Sequence, residues 1–455
     1  MEDNRKKISN STLTSLCQEF IKNNHIDTAK YEQYEVKRGL RNPDGSGVVA
    51  GLTMICNVHG YVINEGEKSP VEGRLVYRGI DICDIVGGCA NENRFGFEET
   101  VWLLLFGTLP TKEQLKGFCE LLSECRELPP YYAEDMIIKS PSPNIMNKLA
   151  RSVLALYSYD DQADDITMEN MLRQSIELIA MLPTIMAYAY QVKRRHYDKE
   201  SMYFHPMMPG LCTAETILHT IRSNTKYTDE EARLLDLCLM LHAEHGGGNN
   251  STFAARVLAS SGTDTYSAIS AAIGSLKGPR HGGANIKVME MLDYIKEGVR
   301  DWNDDDEIVA FLTRLINREA GDGSGLIYGM GHAIYTQSDP RAMILKEAAH
   351  GLVDKKGLGD EFHLLEKVEK LTPGVFACVK GIDKAMCANV DMYSGLVYRT
   401  LGIQEELFTP LFAIARMAGW CAHRIEETMT GARIIRPAYK AIAHPQKYLP
   451  MSERS

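Results

Sequence analysis

Several hallmarks of common protein classes are missing from this sequence. Eleven cysteines are present, an odd number, and no two of them form a CxxC pair. Disulfide frameworks and thiolate metal sites use paired, closely spaced cysteines, so we expect reduced and mostly buried thiols. No apolar run reaches the length of a membrane span, and MEDNRKKISNSTL at the N-terminus lacks the apolar core of a secretory signal. These absences predict a soluble, cytoplasmic protein.

Basic residues are fewer than acidic residues. The 455 residues include 50 Lys and Arg against 60 Asp and Glu, for a net charge of -10. The sequence shows no cluster of basic residues that would form a basic face, which argues against nucleic-acid binding. An anionic ligand is still possible, because it needs only a local cationic pocket. The length suggests two or more domains, or one large domain with a smaller one inserted.

Most of the chain has a helical pattern. A polar lead contains one helix at about Thr12–Asn23, and the Val, Ile and Tyr of CNVHGYVIN and GRLVYRGIDI predict a few small strands. Helices follow, and SIELIAMLPTIMAYAYQVKRR is apolar nearly all round, as in a buried helix. Helix starts are predicted from cap signals: Thr111, the box Thr228–Glu231, Asp339 before Pro340, and Thr409 before Pro410. The predicted fold class is all-α.

Three histidine-containing segments carry the candidate chemistry. His242 and His245 lie three residues apart in LHAEHGGGNN, so we expect them to close one helix and share a face. His281 in GPRHGGAN and His332 in GMGHAIY are framed by glycines, which allow close approach of backbone to a ligand. A neutral imidazole in such a place can donate a hydrogen bond to a developing oxyanion.

A carboxylate and three arginines complete the candidate set. Asp391 lies in the mostly apolar NVDMYSG, where partial burial would raise its pKa and make it a general base. The guanidinium groups of Arg341, Arg416 and Arg436 suit bidentate binding of carboxylates. An acid, a base and a carboxylate clamp suggest proton abstraction beside a carbonyl, followed by carbon–carbon bond formation.

A plainer interpretation exists for part of this set. His242 by itself is typical of a structural histidine at a helix end, with its hydrogen bonds made within the protein. HAEH is not the HExxH of zinc proteases, and no further residue follows at ligand spacing, so no metal is expected.

Taken in order, these blocks resemble the citrate synthase family over about residues 45 to 437. The resemblance rests on LHAEHGGGN, GPRHGGAN, GMGHAIY with SDPRA, NVDMYSG, FAIARMAGW and RIIRP. It implies an all-helical homodimer and a tricarboxylic acid cycle transferase that uses no cofactor. It also implies a large domain of residues 1–278 and 403–455, with a small domain of residues 279–402 that closes over the active site.

The resemblance also implies a role for each residue. His281 would stabilise the enol or enolate of acetyl-CoA while Asp391 removes the methyl proton. His332 would polarise the keto carbonyl of oxaloacetate and supply its proton. The remaining residues would bind oxaloacetate, with Arg436 offered across a dimer interface: His245, Arg341, Arg416 and Arg436.

Two departures and two alternatives stand beside this interpretation. Relatives often carry a cation after the tyrosine of GHxxY, whereas Thr336, Gln337 and Ser338 follow Tyr335 here, so that CoA phosphate contact is not carried over. Arg436-Pro437 is followed by Ala-Tyr-Lys instead of the basic residue and Tyr-Gly pair of many relatives. A 2-methylcitrate synthase would use propionyl-CoA with the same residues, and a catalytically silent relative would only bind metabolites.

Overall fold

The computed structural model describes residues 8–64, 67–381, 385–431 and 433–454. The chain divides into two compact units, Met1–Leu52 and Thr53–Ser455. The division expected from the family, with a small domain at residues 279–402, stays a prediction.

The described part of the first unit, residues 8–52, contains two α-helices. Helix α1 spans Asn10–Asn23 and begins after Ser9, whose hydroxyl accepts the Thr12 N–H at 3.2 Å. This agrees with the helix predicted at about Thr12–Asn23. Helix α2 spans Ala29–Gln33, and a 3₁₀ turn follows at Arg38–Leu40.

The second unit begins with a small antiparallel sheet. Its strands are β1 (Cys56–Asn64), β2 (Glu67–Tyr77) and β3 (Ile80–Asp81), in the order β1-β2-β3. Cys56 pairs with Tyr77, and a bulge shifts the register between His59 and Tyr61. The two segments predicted as strands are therefore confirmed.

Helices make up the remaining regular structure, which confirms the all-α class. Short 3₁₀ turns lie at Tyr157–Tyr159, Glu405–Leu407 and Met451–Glu453, and π-helical turns at Ala133–Ile138 and Arg194–Asp198. The α-helices are α3 (Ile82–Asn91), α4 (Phe97–Phe106), α5 (Lys112–Glu124), α6 (Ile145–Leu156), α7 (Met168–Lys193), α8 (Thr213–Ile221), α9 (Asp229–His242), α10 (Asn250–Ala259), α11 (Thr265–Leu276), α12 (Ala284–Gly298), α13 (Asp305–Ile316), α14 (Pro340–Lys355), α15 (Gly359–Lys380), α16 (Asp391–Thr400) and α17 (Phe408–Met429).

Most predicted helix starts are confirmed by hydrogen bonds. Thr111 and Thr228 each form a full capping box at the starts of α5 and α9, and the Asp339 side chain caps α14 with Pro340 at its first position. The predicted start at Thr409 is wrong, because α17 already begins at Phe408. The Thr409 hydroxyl instead donates to the carbonyl of Gly282 at 3.0 Å.

Helix α17 lies at the centre of the second unit. It packs against α4, α7, α9, α10 and α11, and every residue from Phe408 to Arg424 is buried. Helix α7 packs on it and is, by length and composition, long and apolar enough to cross a membrane, so the prediction that no apolar run reaches this length is wrong. Most of that apolar stretch is buried inside the protein, as in a core helix.

Candidate active site

His245 lies in the turn after α9, not on the helix. Helix α9 ends at His242, so the prediction that both histidines close one helix and share a face is wrong. The helix ends because the Glu244 carboxylate accepts the Gly246 N–H at 2.6 Å and Gly246 has a φ of +90°. His242 Nδ1 lies 2.8 Å from the Cys238 carbonyl and its ring contacts Phe412, which is the structural role expected of a helix-end histidine.

The buried imidazole of His245 faces His332 and Tyr335. The ring centroids of His245 and His332 are 5.1 Å apart, and His332 stacks on Tyr335 at 4.6 Å. Burial lowers the pKa of His245 well below its ordinary value, and the Arg341 guanidinium lowers it further. His245 is therefore neutral, and its Nε2 is buried with no hydrogen-bond partner among the described residues.

Backbone hydrogen bonds assign the proton on His332. Its Nδ1 accepts the N–H groups of Ile334 and Tyr335, both at 3.1 Å. A ring nitrogen that accepts cannot carry the proton of a neutral imidazole, so Nε2 is the N–H donor. His332 thus presents a fixed donor, as a group that polarises a carbonyl requires.

The segment that carries His332 is paired with the segment that leads to Asp391. The Gly331 N–H donates to the Cys387 carbonyl at 2.8 Å, and the Asn389 N–H donates to the Gly329 carbonyl at 2.9 Å. At Gly329 a Cβ atom would lie 2.9 Å from Cα of Met392, and its φ is +81°, so this position requires glycine. Gly329 of GMGH therefore allows the two functional segments to pack side by side.

Asp391 is the first residue of α16. Its N–H donates to Asn389 Oδ1 at 3.0 Å. Burial raises the pKa of its carboxyl to about 6; Arg341 and Arg416 oppose this rise, and Asp339 adds to it. The direction is the one expected from the sequence, and such a group can accept a proton near neutral pH.

His281 is held by the start of α10. Its Nε2 lies 2.9 Å from Ser251 Oγ and accepts the Ser251 N–H at 3.3 Å, so Nδ1 carries the proton. Burial, with the charge of Arg416, lowers the pKa of His281 to about 4 and keeps the ring neutral. The indole N–H of Trp420 donates to the same hydroxyl at 3.2 Å. Sequence reasoning missed Ser251 and Trp420, since neither stands out without knowing what they contact.

Arg341 and Arg416 differ in how their donors are used. The side chain of Arg341 binds Asp339 through Nε at 3.0 Å and Nη2 at 2.7 Å. The fully buried Arg416 donates from Nε to the His242 carbonyl at 2.7 Å, while Nη1 and Nη2 have no partner among the described residues. Burial lowers the pKa of Arg416, which Glu244 partly offsets. A buried guanidinium with two donors to spare suits a carboxylate ligand.

A buried polar network that the sequence did not reveal supports the turn at His245. Glu244 Oε1 accepts the His423 Nε2–H at 2.9 Å, and His423 Nδ1 accepts the Nε–H of Arg256 at 3.1 Å. Arg256 also forms ion pairs with Glu426 and Glu427. Burial opposes ionisation of Glu244, but His423, Arg416 and the Gly246 N–H together hold its pKa below its ordinary value.

Six of the seven predicted site residues are brought together. Charges or contacts join each of them to at least one other: His245, His281, His332, Arg341, Asp391 and Arg416. Arg436 is exposed in segment 433–454, which contains no α-helix or strand, and none of those contacts includes it. Its predicted role stays a prediction.

Comparison with known proteins gives one consistent result. Residues 44–438 match the family model described as citrate synthase, C-terminal domain. Citrate synthase of Deinococcus radiodurans is 36% identical over 84% of this chain and 93% of its own, and that of Synechocystis is 34% identical over 90% and 93%. Among solved structures, citrate synthase from Pyrobaculum aerophilum aligns with a TM-score of 0.72 at 30% identity, covering 91% of this chain and 97% of its own. The enzyme from Thermoplasma acidophilum, solved as a ternary complex with carboxymethyl coenzyme A and oxaloacetate, aligns with a TM-score of 0.74 at 26% identity, covering 92% and 99%.

Proposed function

This chain belongs to the citrate synthase family, and we propose that the site around His245, His281 and Asp391 condenses acetyl-CoA with oxaloacetate. The product, citryl-CoA, is then hydrolysed to citrate and CoA. The observation that carries the proposal is the buried Arg416, whose Nη1 and Nη2 lack a partner among the described residues beside histidines held neutral. Such a site offers donors, a base and a carboxylate pocket in one place.

Oxaloacetate is the ligand that suits the clamp. Arg416 offers two Nη groups to one carboxylate, and Arg341 keeps Nη1 available because Asp339 occupies its Nε and Nη2. The Nε2 of His245 is a further polar atom available to the ligand. With its carboxylates held, the keto oxygen can accept the Nε2–H of His332, which makes the keto carbon electrophilic.

Acetyl-CoA is activated by the pair Asp391 and His281. The Asp391 carboxylate removes a methyl proton, and the Nδ1–H of His281 donates to the thioester oxygen as the enol or enolate forms. Neutral His281 suits this role because its N–H can stabilise the developing enolate by a hydrogen bond. The imidazole does not have to be protonated to do so. The enol carbon attacks the keto carbon, and the proton of His332 passes to the new alkoxide.

Charge balance supports a second copy of the chain as partner. Within this chain, Arg341 is paired with Asp339 and Arg416 interacts with Glu244, so the two cations are offset by two buried carboxylates. A dianionic substrate favours a further cation. The exposed Arg436 can supply one to the site of a homodimeric partner, as the family resemblance implies.

Three further expectations belong to this proposal. The reaction needs no metal or cofactor, since histidine and arginine side chains provide the electrophilic stabilisation. The small domain closes over oxaloacetate before acetyl-CoA reacts, which would exclude water until condensation is complete. All eleven cysteines are free thiols, which supports a reducing cytoplasm.

CoA release by the purified protein tests the proposal. Oxaloacetate would be supplied with acetyl-CoA and, separately, with propionyl-CoA, and kcat/KM compared. We expect a higher kcat/KM with acetyl-CoA than with propionyl-CoA. Preference for propionyl-CoA would assign 2-methylcitrate synthesis, and oxaloacetate binding without CoA release from either thioester would assign a binding protein.

A further inference from the structure

A cluster of metal-ligating side chains lies outside the candidate active site, on two consecutive helices. His350 is on α14, and His363 and Glu366 are on α15, three residues apart and therefore on one face. One ligand atom from each residue lies within 4.8 Å of the other two. Glu366 Oε2 is 2.8 Å from His363 Nδ1, and the two imidazole centroids are 5.7 Å apart.

We propose that His350, His363 and Glu366 bind a divalent transition-metal ion, with Zn²⁺ as the best match. Two imidazoles and one carboxylate are a zinc ligand set, and zinc accepts a water as its fourth ligand. The side chains of His350 and His363 are 48% and 59% exposed, which leaves room for that water. Ligand atoms of a tetrahedral zinc lie about 3.4 Å apart, given bonds of about 2.1 Å. The ligand atoms lie within 4.8 Å of one another, and rotation of the two exposed histidine side chains would bring them toward that spacing.

The surrounding residues support a metal ion at this point. Asp354, one turn after His350 on α14, has Oδ2 3.5 Å from His350 Nδ1. A carboxylate behind a histidine orients the ring and leaves Nε2 for the metal. Lys346 lies 3.4 Å from Glu366 but is closer to Glu369, at 2.9 Å. The charge of Lys346 therefore stays paired with Glu369 when the Glu366 carboxylate binds a metal ion.

Metal binding would join α14 to α15 through side chains from both helices. A ligand that binds only the folded state adds to the free energy of unfolding in proportion to the logarithm of its concentration. The midpoint of thermal unfolding should therefore rise as Zn²⁺ is titrated above its Kd. This effect does not depend on catalysis, so it can be measured whether or not CoA release is observed.

The experiment uses the full chain, stripped with EDTA and dialysed. Calorimetric titration with ZnCl₂ and thermal unfolding with and without Zn²⁺ would be compared for the wild type and for His350→Asn combined with His363→Asn. We expect one ion per chain, a thermal shift, and at least tenfold weaker binding by the double variant. Both histidines are exposed, so the double variant should unfold like the wild type without metal.

A matched control addresses the other histidines and the thiols. His196 is exposed and belongs to no such group among the residues that the structure describes, so His196→Asn should bind as the wild type does. The Co²⁺ form should lack a thiolate charge-transfer band. The proposal is overturned if the wild type does not bind, if the double variant binds equally well, or if the band shows cysteine ligands.

Discussion

Replacing Arg416 by methionine should remove most of the affinity for oxaloacetate. Two Nη groups of Arg416 have no partner among the described residues, so both are available to one substrate carboxylate. A hydrogen bond to a charged group contributes about 1.5–3 kcal/mol, so two contribute about 3–6 kcal/mol. This corresponds to a Kd increased by about 10² to 10⁴-fold. Isothermal titration of oxaloacetate into the folded variant measures it directly.

Arg424 offers a matched control on the same helix. It is also fully buried on α17, but its Nη2 donates to the Thr263 carbonyl at 2.6 Å and its Nη1 contacts Thr428. Arg424→Met should therefore lower thermal stability. It should leave the Kd for oxaloacetate within about twofold of the wild type, because separate sites influence each other by only a few tenths of a kcal/mol. The reasoning is refuted if Arg416→Met binds oxaloacetate normally, or if both variants lose affinity equally.

Three further predictions concern the base, the enolate donor and the supporting turn. Because burial raises the pKa of Asp391 to about 6 and the base must be ionised, kcat/KM for acetyl-CoA should fall about tenfold between pH 7 and pH 5; a midpoint near 4 would contradict this. Ser251→Ala should lower kcat about fivefold by removing one hydrogen bond of about 1 kcal/mol, with KM for oxaloacetate unchanged; an unchanged kcat would exclude the contact. Gly419→Ala would place Cβ 2.0 Å from Glu244 Oε2, so its free energy of unfolding, measured by calorimetry, should fall by about 1–3 kcal/mol. At Gly274 a Cβ would meet nothing within 4 Å, so Gly274→Ala should not destabilise the protein. Equal stability of the two variants would contradict this prediction.

Local sequence signals predicted the elements well. Thr111, Thr228 and Asp339 cap helices where their side-chain chemistry indicates, because a cap depends only on residues within one turn. Thr409 shows where this reasoning stops. It precedes a proline, as a cap does, but its hydroxyl binds a carbonyl 127 residues away in sequence, and nothing local announces that partner.

The residue types in the site were predictable, but their arrangement was not. Glycine-framed histidines suggested imidazoles close to a ligand, whereas the tautomer of His281 depends on the N–H of Ser251, 30 residues away in sequence, and that of His332 on the shape of the turn at Ile334 and Tyr335. The use of Asp339 against Arg341 was missed because one side chain serves both as cap and as ion-pair partner. The Glu244–His423 contact joins residues 179 apart in sequence, so it has no local signal.

The bridge between Met330 and Ala388 has a consequence for how this protein can vary. His332 and Arg341 follow this bridge, the chain then leaves the site along α14, and it returns just before Asp391. Both ends of the intervening segment are fixed by the same backbone pairing, so the separation of electrophile and base does not depend on the length of the segment. Helix α15 can thus gain or lose turns while His332 and Asp391 keep their spacing. Insertions in this family should therefore be tolerated there sooner than at Gly329 and Gly331, which flank Met330 in the bridge.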